Sequence, residues 1–303
     1  MTRQKAIGIP LAAILIAFIN SGPDSSAQEE GPALPPIRQV DHIMIRTQDP
    51  SNLFTFFTEI LRLPVAWPLA TRGDVTSGGV GFGNVNVEAI QFPMPGGKPL
   101  HTRLLGFALE PFSLGESLVE LDRRGITFGD PRPFVATGQD GSKETLWTNV
   151  TLAQFSDADR PVGAAIHIFL SEYSPAYVNV EQRRDRLRKA LAERSGGPLG
   201  VEAVTEVTIG TTNLKVATEL WGRLLEPIPT SAPGQWQVGD GPAIHLVQAE
   251  DNAMQGFVIG VASLQRAKVS LQERGLLGAV SERELTIEPS KIEGLNIRLV
   301  EIR

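Results

Sequence analysis

The chain has 303 residues, 28 Lys plus Arg against 34 Asp plus Glu, a formal net charge of −6 and no cysteine. That length calls for one large or two medium domains with enough apolar side chains for sizeable cores. The acidic balance and the lack of a dense basic block exclude a nucleic-acid backbone as partner, and the missing cysteines exclude disulfides, thiolate ligands and a lipidated cysteine.

Arg3 and Lys5 precede the apolar run Ala6 to Ile19, which gives way to small and polar residues ending in Ser25-Ser26-Ala27. This pattern predicts a secretory signal peptide over residues 1–27, cleaved after Ala27, and then a flexible proline-rich segment over 28–37. The run falls short of the about 20 apolar residues that a membrane span needs, so no stable span is expected after cleavage. An uncleaved N-terminal anchor is the alternative. The expected mature protein is exported, periplasmic or secreted, and without disulfides it relies on its cores.

The stretch VDHIMIR (Val40 to Arg46) reads as a strand with His42 near its start. In Asn52 to Leu63 the residues Leu53, Phe56, Phe57, Ile60 and Leu61 recur at helical spacing, which predicts an amphipathic helix packed on a sheet. Short strand-like runs follow, broken by glycine or proline, and end in Val85 to Phe92 with Glu88 central. The glycine-rich Gly78 to Asn84 opens no helix, so it reads as a strand turn and not as a phosphate cradle. His101 falls in the loop Gly96 to Arg103, where a solvated side chain is expected.

Gly106 to Gly125 reads as a strand, a helix capped by Ser113, and an Arg-Gly end where glycine takes the left-handed position. The run Ala164 to Leu170, with His167 near its centre, closes this unit. Asn149-Val150-Thr151 matches a glycosylation pattern, but inside a strand-like run it reads as chance. Asn179 to Gly200 is a charged helix ended by Gly-Gly-Pro; Glu181, Asp185 and Glu193 interrupt its arginines, which suggests a solvated linker.

The same order then recurs. Val204 to Gly210 repeats the opening strand with Glu206 in the place of His42, and Asn213 to Leu225 repeats the helix through Leu214, Ala217, Trp221 and Leu224 or Leu225. Gly256 to Gly275 matches Gly106 to Gly125 without gaps at 8 of 20 positions, the mark of an internal duplication. Pro242 to Gln248 and Leu295 to Glu301 supply the final strands. Aligned by apolar alternation, Glu88, His167, His245 and Arg298 share one position in four successive units.

A strand bearing Asp41-His42-Ile43, an amphipathic helix, and a hairpin ending in an apolar strand with a central Glu resembles the vicinal oxygen chelate superfamily. Glyoxalase I, bleomycin-resistance proteins, methylmalonyl-CoA epimerase and extradiol dioxygenases belong to it. The resemblance covers residues 38–178 well and 201–303 more weakly. It implies an α+β fold of four βαβββ-type units in two tandem pairs, each pair forming a curved, cup-like mixed sheet with helices outside. The domains would be 38–178, a linker helix over 179–200, and a degenerate copy over 201–303.

In that superfamily the first and last strands of each unit supply metal ligands. Carried over, this implies a site of His42, Glu88 and His167 for one divalent metal (Fe, Mn, Zn or Ni), with Gly106 unable to ligate and His167 standing where a carboxylate is usual. Two imidazoles and a carboxylate suit such metals and leave positions open for an oxygen ligand. The second pair offers Glu206, His245, Gly256 and Arg298, which predicts an Arg298–Glu206 salt bridge, a core histidine and no metal. The expected function is metal-dependent isomerase, lyase or ring-cleaving dioxygenase chemistry on a small oxygen-rich molecule. The alternative is a metal-free protein that sequesters a small ligand, as bleomycin-resistance proteins do. The intact mass of the exported protein is expected to correspond to a chain starting at Gln28; a mass that retains Met1 through Ala27 would reject the cleavage site.

Overall fold

The computed structural model describes residues 35–93, 101–138, 140–157 and 163–302. The expected signal peptide and most of the proline-rich segment lie outside these residues. No helix among the described residues is long and apolar enough to cross a membrane.

Eight strands build the first sheet: β1 (Ile37–Arg46), β2 (Val65–Arg72), β3 (Val75–Gly81), β4 (Asn86–Gln91), β5 (Arg103–Pro111), β6 (Arg132–Thr137), β7 (Lys143–Thr151) and β8 (His167–Tyr173). Their spatial order is β2-β3-β4-β1-β5-β8-β7-β6. The second sheet repeats this with β9 (Val201–Thr211), β10 (Thr230–Ala232), β11 (Gln235–Gln237), β12 (Ala243–Gln248), β13 (Ala253–Val261), β14 (Leu277–Val280), β15 (Leu285–Ile287) and β16 (Ile297–Glu301), in the order β10-β11-β12-β9-β13-β16-β15-β14. Each unit thus pairs its first and last strands in parallel, and two units join through antiparallel first strands, β1 with β5 and β9 with β13. Units pair within each half of the chain, a point the repeat pattern alone leaves open.

Helices lie outside the sheets: α1 (Pro50–Thr55), α2 (Leu114–Arg123), α3 (Val180–Glu193), α4 (Leu214–Leu225) and α5 (Leu264–Glu273). Ser113 and Ser263 cap α2 and α5 by accepting from the backbone N–H three residues on, and Gly125 and Gly275 follow them at φ +64°. The duplication therefore extends to the caps. The helix expected over Asn52 to Leu63 is shorter in its regular part, because Phe56–Ile60 forms a wider π-turn. That turn shifts the helical phase, so Leu53, Phe56, Phe57 and Leu61 are buried while Ile60 faces out, 40% exposed.

The linker helix α3 is docked and not solvated, contrary to the reading from its charge. Leu187 and Leu191 are buried, Arg184 pairs with Glu110 at 2.5 Å, and Arg38 reaches Glu181 at 2.9 Å. Its charged residues also reach the second half, where Arg188 lies 3.6 Å from Asp240.

One apolar core runs through both halves. Trp221 of α4 meets Phe107 of β5 (ring centroids 6.1 Å apart) and Phe155 (4.9 Å), and Phe82 meets Phe257 at 6.0 Å. Burying a large aromatic against a facing domain contributes several kcal/mol and couples the two. Trp221→Ala is accordingly expected to lower stability by about 3–5 kcal/mol while residues 35–302 still unfold in one calorimetric transition. Two separated transitions would show that the halves unfold independently.

Candidate functional site

The first sheet curls so far that its two edge strands meet around one cavity. Ala66, Trp67 and Arg72 from β2 and Arg132, Pro133 and Phe134 from β6 line the same space of about 430 Å³, within the range of small-ligand sites. Its walls are aromatic: Trp67, Phe92, Trp147, Phe169, Tyr173 and Tyr177. Phe134 stacks on Trp147 with ring centroids 4.1 Å apart and planes 2° from parallel. Trp67 sits where it does because Gly79 faces it across the β2–β3 ladder; a Cβ there would lie 2.3 Å from the indole.

His42, Glu88 and His167 all line this cavity. A β-bulge sets the first of them. In the β1–β5 ladder Val40 opposes Leu109 and His42 opposes Ala108, so Asp41 is an extra residue. Bulges re-aim neighbouring side chains, and here Asp41 comes to rest beside His42. The imidazole Nδ1 donates to Asp41 Oδ2 at 2.7 Å, and Nε2 is 3.6 Å from Glu88 Oε2. Asp41 also accepts from Tyr173 Oη at 3.0 Å and from Arg183 Nη2 at 2.7 Å. Arg183 comes from α3 and lies 4.8 Å over the Tyr173 ring and 5.9 Å from that of Trp67. Sequence reading missed Arg183, and the bulge that brings Asp41 into play has no signature in the apolar rhythm.

The electrostatics follow from burial and these partners. Burial alone would raise the Asp41 carboxyl, but the Arg183 charge and the His42 hydrogen bond hold it well below the usual carboxylate range. Burial alone would lower His42, but its bond to Asp41 and the charges of Asp41 and Glu88 raise it. Burial pushes Glu88 up, with the His42 charge opposing. Burial and the Asp41 charge also raise the Tyr173 hydroxyl, which keeps it a donor to Asp41. His42 and Glu88 therefore form a buried couple, 3.6 Å apart, and both line the cavity.

His167 stands apart from that couple, and the sheet register gives the reason. Met44, two residues past His42, pairs with Glu88. The bulge at Asp41 recurs on β5 at Leu105, which makes Gly106 the counterpart of His42 and Ala108 that of Met44; Ala108 pairs with Phe169, and His167 pairs with Gly106. The counterpart of Glu88 is thus Phe169, and the alignment that placed His167 there is corrected by two residues. The Phe169 ring lies 5.8 Å from that of His42 and 5.1 Å from that of His167. Gly106 is fixed as glycine by φ +146° and by the His167 carbonyl, which would lie 2.0 Å from a Cβ.

Two of the three expected donors therefore fit a metal: Asp41 orients His42, as outer carboxylates do for metal-bound imidazoles, and Glu88 faces it. The opposite wall offers Gly106 and Phe169, which have no donor atom, and no group of three or more His, Asp or Glu among the described residues is placed to hold an ion. The residues present do not fit a complete metal centre.

In the second sheet the same register holds Glu206, His245, Gly256 and Arg298 at the four positions, with a bulge at Thr205 answering Asp41. Arg298 Nη2 bonds Glu206 Oε1 at 3.0 Å, the expected salt bridge, and Nη1 bonds Glu284 at 3.0 Å. His245 is half-buried and not a core residue; its Nδ1 lies 3.2 Å from Glu206 Oε2. An internal guanidinium occupies the middle of this second cup. His101 is exposed, and Asn149 lies on β7 with its buried Oδ1 facing no hydrogen-bond donor.

Removing Asp41 tests this arrangement. His42 is raised in the fold, so its contribution to stability is present below its unfolded pKa, near 6.5, and is lost as pH rises through the higher folded value. Asp41 is depressed, so its contribution is present above its unfolded pKa and lost in acid. Asp41→Asn is expected to cost about 3–5 kcal/mol at pH 7, because Arg183 is left buried without its partner. The His42 resonance in NMR titration should move to lower pH; an unchanged midpoint would show that Asp41 does not set it.

No protein-family model and no curated protein sequence matches the chain. Solved structures do. A hypothetical protein from Staphylococcus aureus aligns with TM-score 0.56 and 10% identity over 87% of this chain and 99% of the other. A variant of homoprotocatechuate 2,3-dioxygenase from Brevibacterium fuscum aligns with TM-score 0.55 and 11% identity over 89% of this chain and 72% of the other. A variant of 4-hydroxymandelate synthase from Streptomyces coelicolor gives 0.55 and 13% over 88% and 93%. With two eight-stranded mixed sheets of paired βαβββ units, the first of them curled, and helices outside, the chain carries the vicinal oxygen chelate fold, in two tandem copies.

Proposed function

We propose that the first cup binds a small, planar, oxygen-rich acid and exchanges a proton with it through His42. The observation that carries this reading is the cavity itself: a space walled by aromatic rings, whose polar features include the His42–Glu88 couple, His167, three guanidinium groups (Arg72, Arg132 and Arg183) and the unsatisfied Asn149 Oδ1. Flat rings stack well between such walls, and arginines favour an acidic substituent through paired charge-assisted hydrogen bonds. Tyr173 and Arg183 hold Asp41, Asp41 holds the His42 Nδ1 proton, and Nε2 is left to take a proton from the ligand or return one. The tuned pair meets the geometric and pKa needs of general acid–base work. The neighbours named for homoprotocatechuate and 4-hydroxymandelate handle ring-bearing acids of this kind, which supports the class of ligand but not its identity.

A second reading, a divalent-metal enzyme with isomerase, lyase or ring-cleaving chemistry, is favoured by one observation, the support of His42 by Asp41 with Nε2 turned to Glu88. His42 and Glu88 would be donors to such a metal, and His167, which lines the same cavity apart from them, would have to move to complete the set. The metal would supply Lewis acidity toward a ligand oxygen. Export to the periplasm or medium belongs to either proposal.

Homoprotocatechuate and 4-hydroxymandelate serve as probes, with the fluorescence of Trp67 and Trp147 as the signal. Binding is expected to quench both and to weaken at least tenfold in His42→Ala and Glu88→Gln, with affinity the same in chelator as in Mn(II), Fe(II), Zn(II) or Ni(II). Affinity lost in chelator, restored by one of these ions and abolished by His167→Ala would move the conclusion to the metal enzyme. Failure of a panel of such acids to bind under any of these conditions would reject both.

A further inference from the structure

On one face of β1 the side chains alternate through His42 and Met44, which line the cavity, and then Arg46, beyond it. Arg46 stands directly opposite Arg103 in the β1–β5 ladder, so the two guanidinium side chains share one face. Like charges at directly opposed strand positions repel. Arg46 is only 5% exposed, and its Nη1 donates to the Ala164 carbonyl at 3.3 Å. Its Nε and that of Arg103 are both buried without a hydrogen-bond partner. No carboxylate among the described residues pairs with either, although eight other arginines have such partners.

Burial and the neighbouring Arg103 charge both disfavour the Arg46 cation, yet arginine stays protonated in proteins. A buried guanidinium beside a half-buried one, both with an orphaned Nε–H and neither with a carboxylate partner among the described residues, is unfavourable unless an anion joins them. We propose that Arg46 and Arg103 form an oxyanion site, taking a carboxylate or a phosphate between their Nε–H and Nη–H edges. Four residues separate Arg46 from His42, about 13 Å of strand, so this site is distinct from the His42–Glu88 couple and stands whether or not the proposed proton exchange does.

Calorimetry and thermal melting of the whole chain in inorganic phosphate, acetate and chloride at matched ionic strength test this. One equivalent of phosphate or acetate is expected to bind and raise the melting temperature over that in chloride. Tighter phosphate points to a phosphoryl or inorganic anion, tighter acetate to a carboxylate. Arg46→Met and Arg103→Met should each weaken binding at least tenfold, whereas Arg283→Gln, on an exposed turn of the second sheet, should bind as wild type does. If a variant fails to fold, the Nε–H resonances of Arg46 and Arg103 in wild type provide the same reading, since both should shift on titration with the bound anion. Absence of binding in wild type, unchanged affinity in the two methionine variants, or Nε–H signals that stay put would each overturn the proposal.

Discussion

The buried carboxylate of Asp41 is the node on which the first cup depends. It lies in a bulge of the central strand, is 3% exposed, and accepts from His42, Tyr173 and Arg183 together. A carboxylate so deeply buried is tolerable only when its lone pairs are filled and its charge is matched. Those three donors come from three places in the chain, β1, β8 and α3, so the same interaction that keeps Asp41 ionised also fixes the imidazole, closes the cup at Tyr173 and ties the linker helix to the sheet.

The second cup shows what the scaffold does when that node is changed. Thr205 stands where Asp41 does, Glu206 where His42 does, and Arg298 where Phe169 does, in the same register and with the same bulge. Glu206 collects Arg298, His245, Gln235 and Thr208. An internal cation therefore satisfies the carboxylate, leaving no call for an external one. In the first cup the carboxylate facing the cavity, Glu88, stands at the position of His245 and has an imidazole beside it. The same duplication thus yields one cup whose polar groups are turned inward on each other and one whose polar groups face a space for a ligand.

The two halves are not independent beads. Trp221 of the second half packs against Phe107 and Phe155 of the first, and Glu293 accepts from Thr47 and Asn52 of the first half at 2.7 and 2.9 Å. The second half thereby packs behind β5 and beside the end of β1. Support of this kind lets a site hold an imidazole and a carboxylate in register before a ligand arrives.

The sequence by itself determined the duplication, the order of strand and helix in each unit, the serine caps and glycine ends, and the salt bridge of Arg298 with Glu206, because these rest on local periodicity, capping chemistry and opposite charge at matched positions. Its resemblance to the vicinal oxygen chelate superfamily also marked His42, Glu88 and His167 as one set, and all three line one cavity. Tertiary structure alone decided the rest. A bulge adds a residue without disturbing apolar alternation, so Asp41 gave no sign that it would turn toward His42. A shift of two residues along a strand keeps the same face, so alternation could not tell His167 from Phe169 at the position matching Glu88; only the hydrogen-bonded register did. Arg183 looked like one charge among many on a polar helix, and Arg46 and Arg103 like strand ends. Their burial, their partners and their lack of partners arise from contacts between residues far apart in the chain, which local pattern does not encode.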